Sequence, residues 1–487
     1  MTHPTLDTEH RQVTLRIGGE KRTSASGGWF AHINPCTGTT DAEIPLAGPE
    51  EVDEAVQAAH RAFESWRSTS PAERRGILMR FADLIDEHGE DFKQLAALDN
   101  GTPIGLGDGF VGMSVEWTRY YAGWADKING DVTSSLRTHG DFSYTLKQPY
   151  GVIGVIITWN GPLFSLAMKV PAALAAGNTV VIKPSELTPF SADLYAQLAT
   201  EAGIPDGVIN VVPGSAEAGA ALVAHPLVKK VTFTGGPATA RKILALCAEH
   251  IKPAVMELGG KSANIVFADA DLDLACGLGT IMSVGVMSGQ GCAMPTRMIV
   301  AREVYDEVVS RVADLAKMVK VGDPLQADTL SGPVVNYAAL QRITGIIERA
   351  QRDGARLVAG GKRLGGELAN GYFLEPTVFA DVDPLCELAQ QEVFGPVLSI
   401  IPFDTEQEAV AIANNTEYGL SGYIFTNDLK RAHRVSEALN TGEVLINGAA
   451  NLAVNRPFGG IGISGMGKEG GREGLDEFLR IKGVAIA

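Results

Sequence analysis

Basic residues are scarce in this 487-residue chain: 41 Lys and Arg stand against 57 Asp and Glu, a net charge of −16. That balance argues against non-specific binding to nucleic acid or anionic membranes, though not against a local basic pocket for a phosphorylated cofactor. Cysteines number five, namely Cys36, Cys247, Cys276, Cys292 and Cys386. They are scattered and form no C-x-x-C, which points away from a disulfide framework and from a zinc site, so no metal centre is expected. No stretch reaches about 18 uninterrupted apolar residues, the length of a membrane span. The first twenty residues, MTHPTLDTEHRQVTLRIGGE, hold charges and no apolar run, unlike a signal peptide. The expectation is a cytoplasmic protein without a membrane partner. None of the nine histidines lies in a glycine-rich setting that would mark a base beside a thiol, and they read as surface or satisfied core residues.

What is present is ordinary globular composition, 45% hydrophobic and 20% charged, over a length that implies two or more domains. Residues 50–99 carry apolar positions at helical spacing, and Ser70, Pro71 and Glu73 form a helix start. From Gly130, GDVTSSLRTHGDFSYTLKQPYGVIG alternates and reads as a hairpin-like arm that could lie on a sheet edge or pair with another subunit. From residue 150, short β-branched runs (151–158, 178–185, 207–214, 230–235, 253–260) alternate with helical stretches. This is the pattern of a parallel sheet covered on both faces, which binds ligands at the carboxyl ends of its strands. A second α/β region follows Lys261, with Cys292 near its start, after a helix through LACGLGTIMSVGVMS.

Two glycine motifs near the C-terminus mislead. GIGISG (460–465) fits G-x-G-x-x-G, but RPFGG is a poor strand and the chain ends about where the acidic partner should stand. GISGMGKE (462–469) nearly matches a phosphate loop, yet Glu469 replaces the magnesium-binding hydroxyl and would repel a phosphate. Tight turns with close backbone approach are the better account.

Chemistry concentrates elsewhere. SGQGCAMPTR clears side-chain bulk from around Cys292. Glu257 ends an apolar strand in MELGGK, where a charge is costly unless it has a partner or a task. Asn160, at a strand end in IITWNGP, either shapes the turn before Pro162 or donates its amide to a developing oxyanion. Lys183 and Glu186, in VIKPSE, would suit a ribose.

TWNGP, NTVVIKPSELTP, FTGG, MELGGKSANIVFADADLD, GQGCAMPTR, QEVFGPVLSI, NNTEYGLSGYIFT and PFGGIGISGMGKE occur in the order seen in the NAD(P)-dependent aldehyde dehydrogenase superfamily, which the chain resembles from about residue 30 onward. The resemblance implies an α/β architecture. Its parts are a Rossmann-type dinucleotide-binding domain (1–129 and 150–260), an α/β catalytic domain (261–463) and a β oligomerisation arm (130–149 and 478–487) that builds a homodimer or homotetramer. It implies that Cys292 attacks an aldehyde, and that Asn160 and the Cys292 N–H hold the oxyanion. A hydride then leaves for the nicotinamide, and Glu257 activates the water that hydrolyses the thioester. Glu469 would relay protons from Glu257. Trp159, Lys183, Glu186, Gly235, Glu392 and Phe394 match the cofactor positions, with Glu186 favouring NAD over NADP.

There are departures from the family pattern. In FTGGPATAR, Gly236 replaces the usual serine, Pro237 follows, and Ala240 takes a glycine's place. Gly161 stands where many members carry an aromatic residue, which should widen the tunnel formed by Met113, Gly161, Phe164, Met168, Leu452 and Phe458. With no arginine for a carboxylated semialdehyde and no aromatic cluster for a quaternary ammonium, a hydrophobic aliphatic or aromatic aldehyde is expected. The alternatives are a CoA-acylating enzyme, against which Glu257 argues, and a non-catalytic dinucleotide-binding protein on this fold.

Overall fold

The computed structural model describes residues 12–133, 142–448 and 452–486. Four helices follow two antiparallel strand pairs, Leu15–Ile17 with Glu20–Arg22 and Trp29–Asn34 with Thr39–Pro45: Pro49–Ser68, Pro71–Glu87, Gly89–Asn100 and Ile104–Ala122. The second begins as its sequence dictates, with the Ser70 hydroxyl accepting from the Glu73 N–H and Pro71 in the first turn.

Five parallel strands form the centre of the first sheet. Across the sheet they run Ala254–Glu257, Val228–Thr234, Val152–Ile156, Thr179–Lys183 and Ile209–Val211. The chain leaves Val152–Ile156 toward one edge and returns to its other side at Val228–Thr234. The two strands therefore flank a topological switch point, where α/β sheets open a crevice. Register aligns the carboxyl ends: Ile156 faces Lys183 and Phe233, and Thr234 faces Glu257. The buried parts of these strands are mostly apolar, as expected of parallel strands covered on both faces, with Lys183 and Glu257 as charged exceptions at two carboxyl ends.

The second sheet orders Arg356–Ala359, Thr377–Ala380, Val397–Phe403, Arg297–Ala301, Ala263–Val266, Ser421–Phe425 and Glu443–Ile446, with only the first pair antiparallel. Residues 258–262 alone link Glu257 of the first sheet to Ala263 of the second. A separate three-stranded antiparallel sheet joins Leu479–Ile486, Phe142–Pro149 and Val132–Thr133. Residues 134–141, within the proposed arm, lie outside the described residues.

One local reading is corrected, and the tight-turn reading of the C-terminal glycines is met. The helix expected through LACGLGTIMSVGVMS is α-helical only over Leu272–Thr280. It widens to a π-helix at Ile281–Gly285 and ends in a left-handed turn at Met287 and Ser288. Leu272–Gly289 is long and apolar enough for a membrane span (mean hydropathy 1.4), but it is broken in this way and 56% buried inside the fold. The C-terminal glycine motif is neither a dinucleotide turn nor a phosphate loop. Gly465–Met466 pairs antiparallel with Met256 and Glu257 at the sheet edge. A Cβ at Gly465 would lie 2.0 Å from the Met256 carbonyl oxygen, so only glycine permits that approach.

Candidate active site

Cys292 follows the left-handed turn and precedes the strand Arg297–Ala301. Its segment is pinned from both sides: the Tyr423 hydroxyl donates to the Ala293 carbonyl (2.7 Å), and Gly260 packs against the Cys292 carbonyl. Cys292 is half-buried at the wall of a cavity of about 290 Å³. Burial, and then the carboxylates of Glu392 and Glu257, push the thiol up to about 12. In the resting protein this group is a thiol, so reaction requires that its proton be taken as the new bond forms.

Glu257 closes the strand Ala254–Glu257 and points into the same cavity. It is 3% exposed, and among the described residues neither carboxylate oxygen has a hydrogen-bond partner. Burial first, and the neighbouring Glu469 second, hold its pKa well above the usual carboxylate range. A buried carboxylate left without donors is costly to keep, and such groups concentrate at sites of proton transfer. Glu469 lines the cavity too, paired with the fully buried Lys169.

Asn160 reaches the cavity from the loop that leaves the switch-point strand. Its Oδ1 accepts from the Thr158 hydroxyl (2.9 Å), and its Nδ2 donates to the Gln290 carbonyl (2.7 Å). One N–H of the amide remains free. Beside it opens the N-terminus of helix Pro162–Ala175, whose first turn has no side-chain cap and so favours negative charge.

The rest of the cavity wall is mostly apolar, with the hydroxyls of Thr158, Ser165 and Thr234 among it. Met113, Gly161, Phe164, Met168, Leu452 and Phe458, all anticipated from sequence, line it, and Met282, Met287 and Met294 join them. Among the described residues, no basic residue does. Nothing lies within 4 Å of where a Gly161 Cβ would stand, so the missing aromatic leaves open space.

The anticipated cofactor residues lie at the carboxyl ends of the first sheet's strands or touch the loops that leave them. Lys183 ends its strand buried, its ammonium donating to the carbonyls of Pro184 and Gly214 (2.7 and 2.5 Å), with Glu186 at 3.7 Å. The Gly235 N–H donates to the Glu257 carbonyl (3.0 Å). Gly236 caps helix Pro237–Glu249 with no side-chain bond and open space around it. Free N–H groups at an unobstructed helix start fit a pyrophosphate, even without the hydroxyl that serine would add. Glu392 accepts from the Gly260 N–H (2.9 Å), and burial pushes its pKa up to about 7. Trp159 and Phe394 meet edge to face, ring centroids 5.3 Å apart.

The aldehyde dehydrogenase family signature matches residues 22–484. The chain belongs to the aldehyde dehydrogenase family. It is 40% identical over 492 residues to the mitochondrial succinate-semialdehyde dehydrogenase of Arabidopsis thaliana, covering 99% of this chain and 92% of the relative. It is 42% identical over 481 residues to the cytosolic 10-formyltetrahydrofolate dehydrogenase of Pongo abelii, but spans only 53% of that longer protein. Among solved structures, an NAD+ complex of aldehyde dehydrogenase from Bacillus cereus superposes with a TM-score of 0.96 at 40% identity, covering 100% of this chain and 99% of that one. This chain is therefore an oxidoreductase of mixed α/β fold within that family.

Sequence reading of this aldehyde dehydrogenase missed three parts of the site. Lys169 carried a signal: it is the lone charge in helix Pro162–Ala175, which is buried throughout. Gln290 stood in plain view beside Cys292, but its partners are far away in the chain. Tyr423 gave no signal, because its role depends on the packing of a distant strand.

Proposed function

We propose that this enzyme oxidises a hydrophobic aliphatic or aromatic aldehyde to the carboxylic acid with NAD, through a thiohemiacetal and then a thioester on Cys292. The observation that carries this reading is the convergence of a thiol, an unpartnered buried carboxylate and a free amide N–H on one apolar cavity. Cys292 adds to the aldehyde carbon as its S–H bond breaks and the proton passes to solvent water. The free N–H of Asn160 meets the oxyanion, and an amide stays a donor at any working pH. NAD held in the crevice would supply the hydride acceptor that brings the Cys292-bound carbon to the carboxylic-acid oxidation level. Glu257 then takes a proton from water as that water attacks the thioester; the carbon–sulfur bond breaks, releasing the acid, the Cys292 sulfur regains a proton, and the Glu469–Lys169 pair behind Glu257 offers a route for proton exchange with solvent. A CoA-acylating enzyme would not need the Glu257 carboxylate.

Lys183 and Glu186 would hold the adenosine ribose, Gly235 and Gly236 the pyrophosphate, and Glu392 with Trp159 and Phe394 the nicotinamide end. A carboxylate at Glu186 repels a 2′-phosphate, so kcat/KM with NAD should exceed that with NADP, and Glu186→Gln should narrow the ratio. A higher kcat/KM with NADP in the parent enzyme would refute this role.

An aldehyde panel followed at the reduced-nicotinamide absorbance tests the substrate class. Alkyl and aryl aldehydes should lead, and charged semialdehydes should trail. If succinic semialdehyde led, the reading of the cavity would be wrong. Gly161→Phe should lower kcat/KM for aryl aldehydes by about 10-fold or more, while acetaldehyde changes little. Equal losses for both would show that Gly161 does not set tunnel width. Val132, Phe142, Ile481 and Ile486 stay exposed on the three-stranded sheet, which supports assembly through it into a homodimer or homotetramer.

A further inference from the structure

Ahead of Cys292, Met287 (φ 50°), Ser288 (φ 53°) and Gly289 (φ 68°) are successively left-handed. Two of the three carry side chains, and L-residues avoid that region unless their surroundings hold them there. The surroundings here are a set of hydrogen bonds to residues 331–335. The Ser288 hydroxyl donates to the Gly332 carbonyl (2.7 Å), and the Ser331 hydroxyl donates to the Ser288 oxygen (3.1 Å). The Gln290 amide nitrogen donates to the carbonyls of Met287 (3.1 Å) and Pro333 (3.4 Å), while its oxygen accepts from the Val335 N–H (2.9 Å). Gln290 is 3% exposed, and its side chain thus bridges the strained turn to a distant loop.

The backbone carbonyl of this same residue accepts from the Asn160 amide at 2.7 Å. Thr158 fixes the other end of that amide. With one N–H committed to the Gln290 carbonyl, the direction of the second is set by where that carbonyl sits. On the other side, Asn100 donates to the Trp159 carbonyl (2.9 Å), bracing the loop that carries Asn160.

We propose that Gln290 is a positioning residue for the oxyanion amide: its side chain fixes the turn, and its carbonyl thereby aims the free N–H of Asn160 into the cavity. This rests on the role given above to Asn160, and the test separates the two. Single-turnover NADH formation, with the full-length enzyme in excess over aldehyde and NAD saturating, is followed in a double-mutant cycle. Asn160→Ala alone measures what the amide contributes. A rate unchanged by it would remove the oxyanion role and this inference together.

Gln290→Met keeps the side-chain volume and removes its hydrogen bonds. With Asn160 present it should slow NADH formation about 10- to 100-fold, the scale of a misplacement of roughly 1 Å. In the Asn160→Ala background it should cost less than about 2-fold more, because the group it aims is gone. Alkylation of Cys292 by iodoacetamide, which uses no oxyanion donor, should stay within about 2-fold of the parent rate. Equal losses in both backgrounds would mark general support of the loop and overturn the proposal, as would a parental rate in Gln290→Met. Should that variant not fold, Gln290→Glu carries the same cycle: it keeps the acceptor for the Val335 N–H and loses both donors.

Discussion

Cys292→Ala abolishes aldehyde-dependent NADH formation, by about 10⁴-fold or more, while NAD still binds and quenches tryptophan fluorescence. The expectation follows from the site having no second nucleophile placed to replace the thiol. The other four cysteines stand elsewhere in the fold, and among the described residues the remaining polar groups on this cavity are amides, hydroxyls and carboxylates. Cys292→Ser should fail nearly as completely, because a hydroxyl is a far weaker nucleophile at neutral pH. Turnover within about 10-fold of the parent would end the nucleophile assignment.

The environment of the thiol adds a pH signature. With the group pushed up to about 12, only on the order of 1 in 10⁵ molecules holds a thiolate at pH 7. Alkylation of the Cys292 peptide, followed by mass spectrometry without NAD, should therefore rise about 10-fold per pH unit from 7 to 10 without a plateau. A plateau near pH 7 would mean that some group in the resting site already stabilises the thiolate.

The parts of this molecule that were legible in its sequence are those decided by neighbours along the chain. Strands such as Val152–Ile156 and Thr179–Lys183 announce themselves by short runs rich in β-branched residues, and helix starts such as Ser70–Pro71 by their caps. The cavity residues Gly161, Phe164, Met168, Leu452 and Phe458 were legible through ordered motifs, since each lies in or near a signature, whereas Met113 lies in none. What stayed hidden depends on contacts between distant segments. A run of apolar residues through 272–289 reads as one helix, because nothing local reports that Ser288 will bond to Gly332 and turn left-handed. The glycines of 459–467 were readable as tight turns, because Glu469 spoils a phosphate loop, but nothing local reports that the edge of the first sheet will lie against them. Lys169 shows the opposite case: its incongruity inside an apolar helix was readable, while its partner Glu469, about 300 residues on, was not.

Glu257→Gln should separate the two halves of the reaction. The glutamine keeps the volume at the end of Ala254–Glu257 but cannot take a proton from water. Single-turnover NADH formation should stay within about 3-fold of the parent, while the steady rate falls about 10²- to 10⁴-fold and an acyl adduct accumulates on Cys292. Equal loss of both phases would contradict the water-activating role. Coenzyme A supplied to the stalled variant should not restore turnover; full rescue would instead favour the acylating reading.

The pH dependence has a definite sign. Glu257 acts as a base only when deprotonated, and its pKa is raised by burial and by Glu469. The parent's steady rate should therefore rise with pH through a midpoint above the ordinary carboxylate range near 4.3, and that limb should vanish in the variant. The same shift acts on stability. Because the folded-state pKa lies above the unfolded one, the penalty of the charged, unpartnered carboxylate is absent below about pH 4.3. It grows as pH rises and is complete above the folded value. Glu257→Gln should accordingly melt higher than the parent at pH 8, with the gap closing as pH falls. A variant that is inactive in turnover and more stable at neutral pH is what a group kept for chemistry against the cost of its burial predicts. A Tm lowered at pH 8 would instead make Glu257 a structural residue.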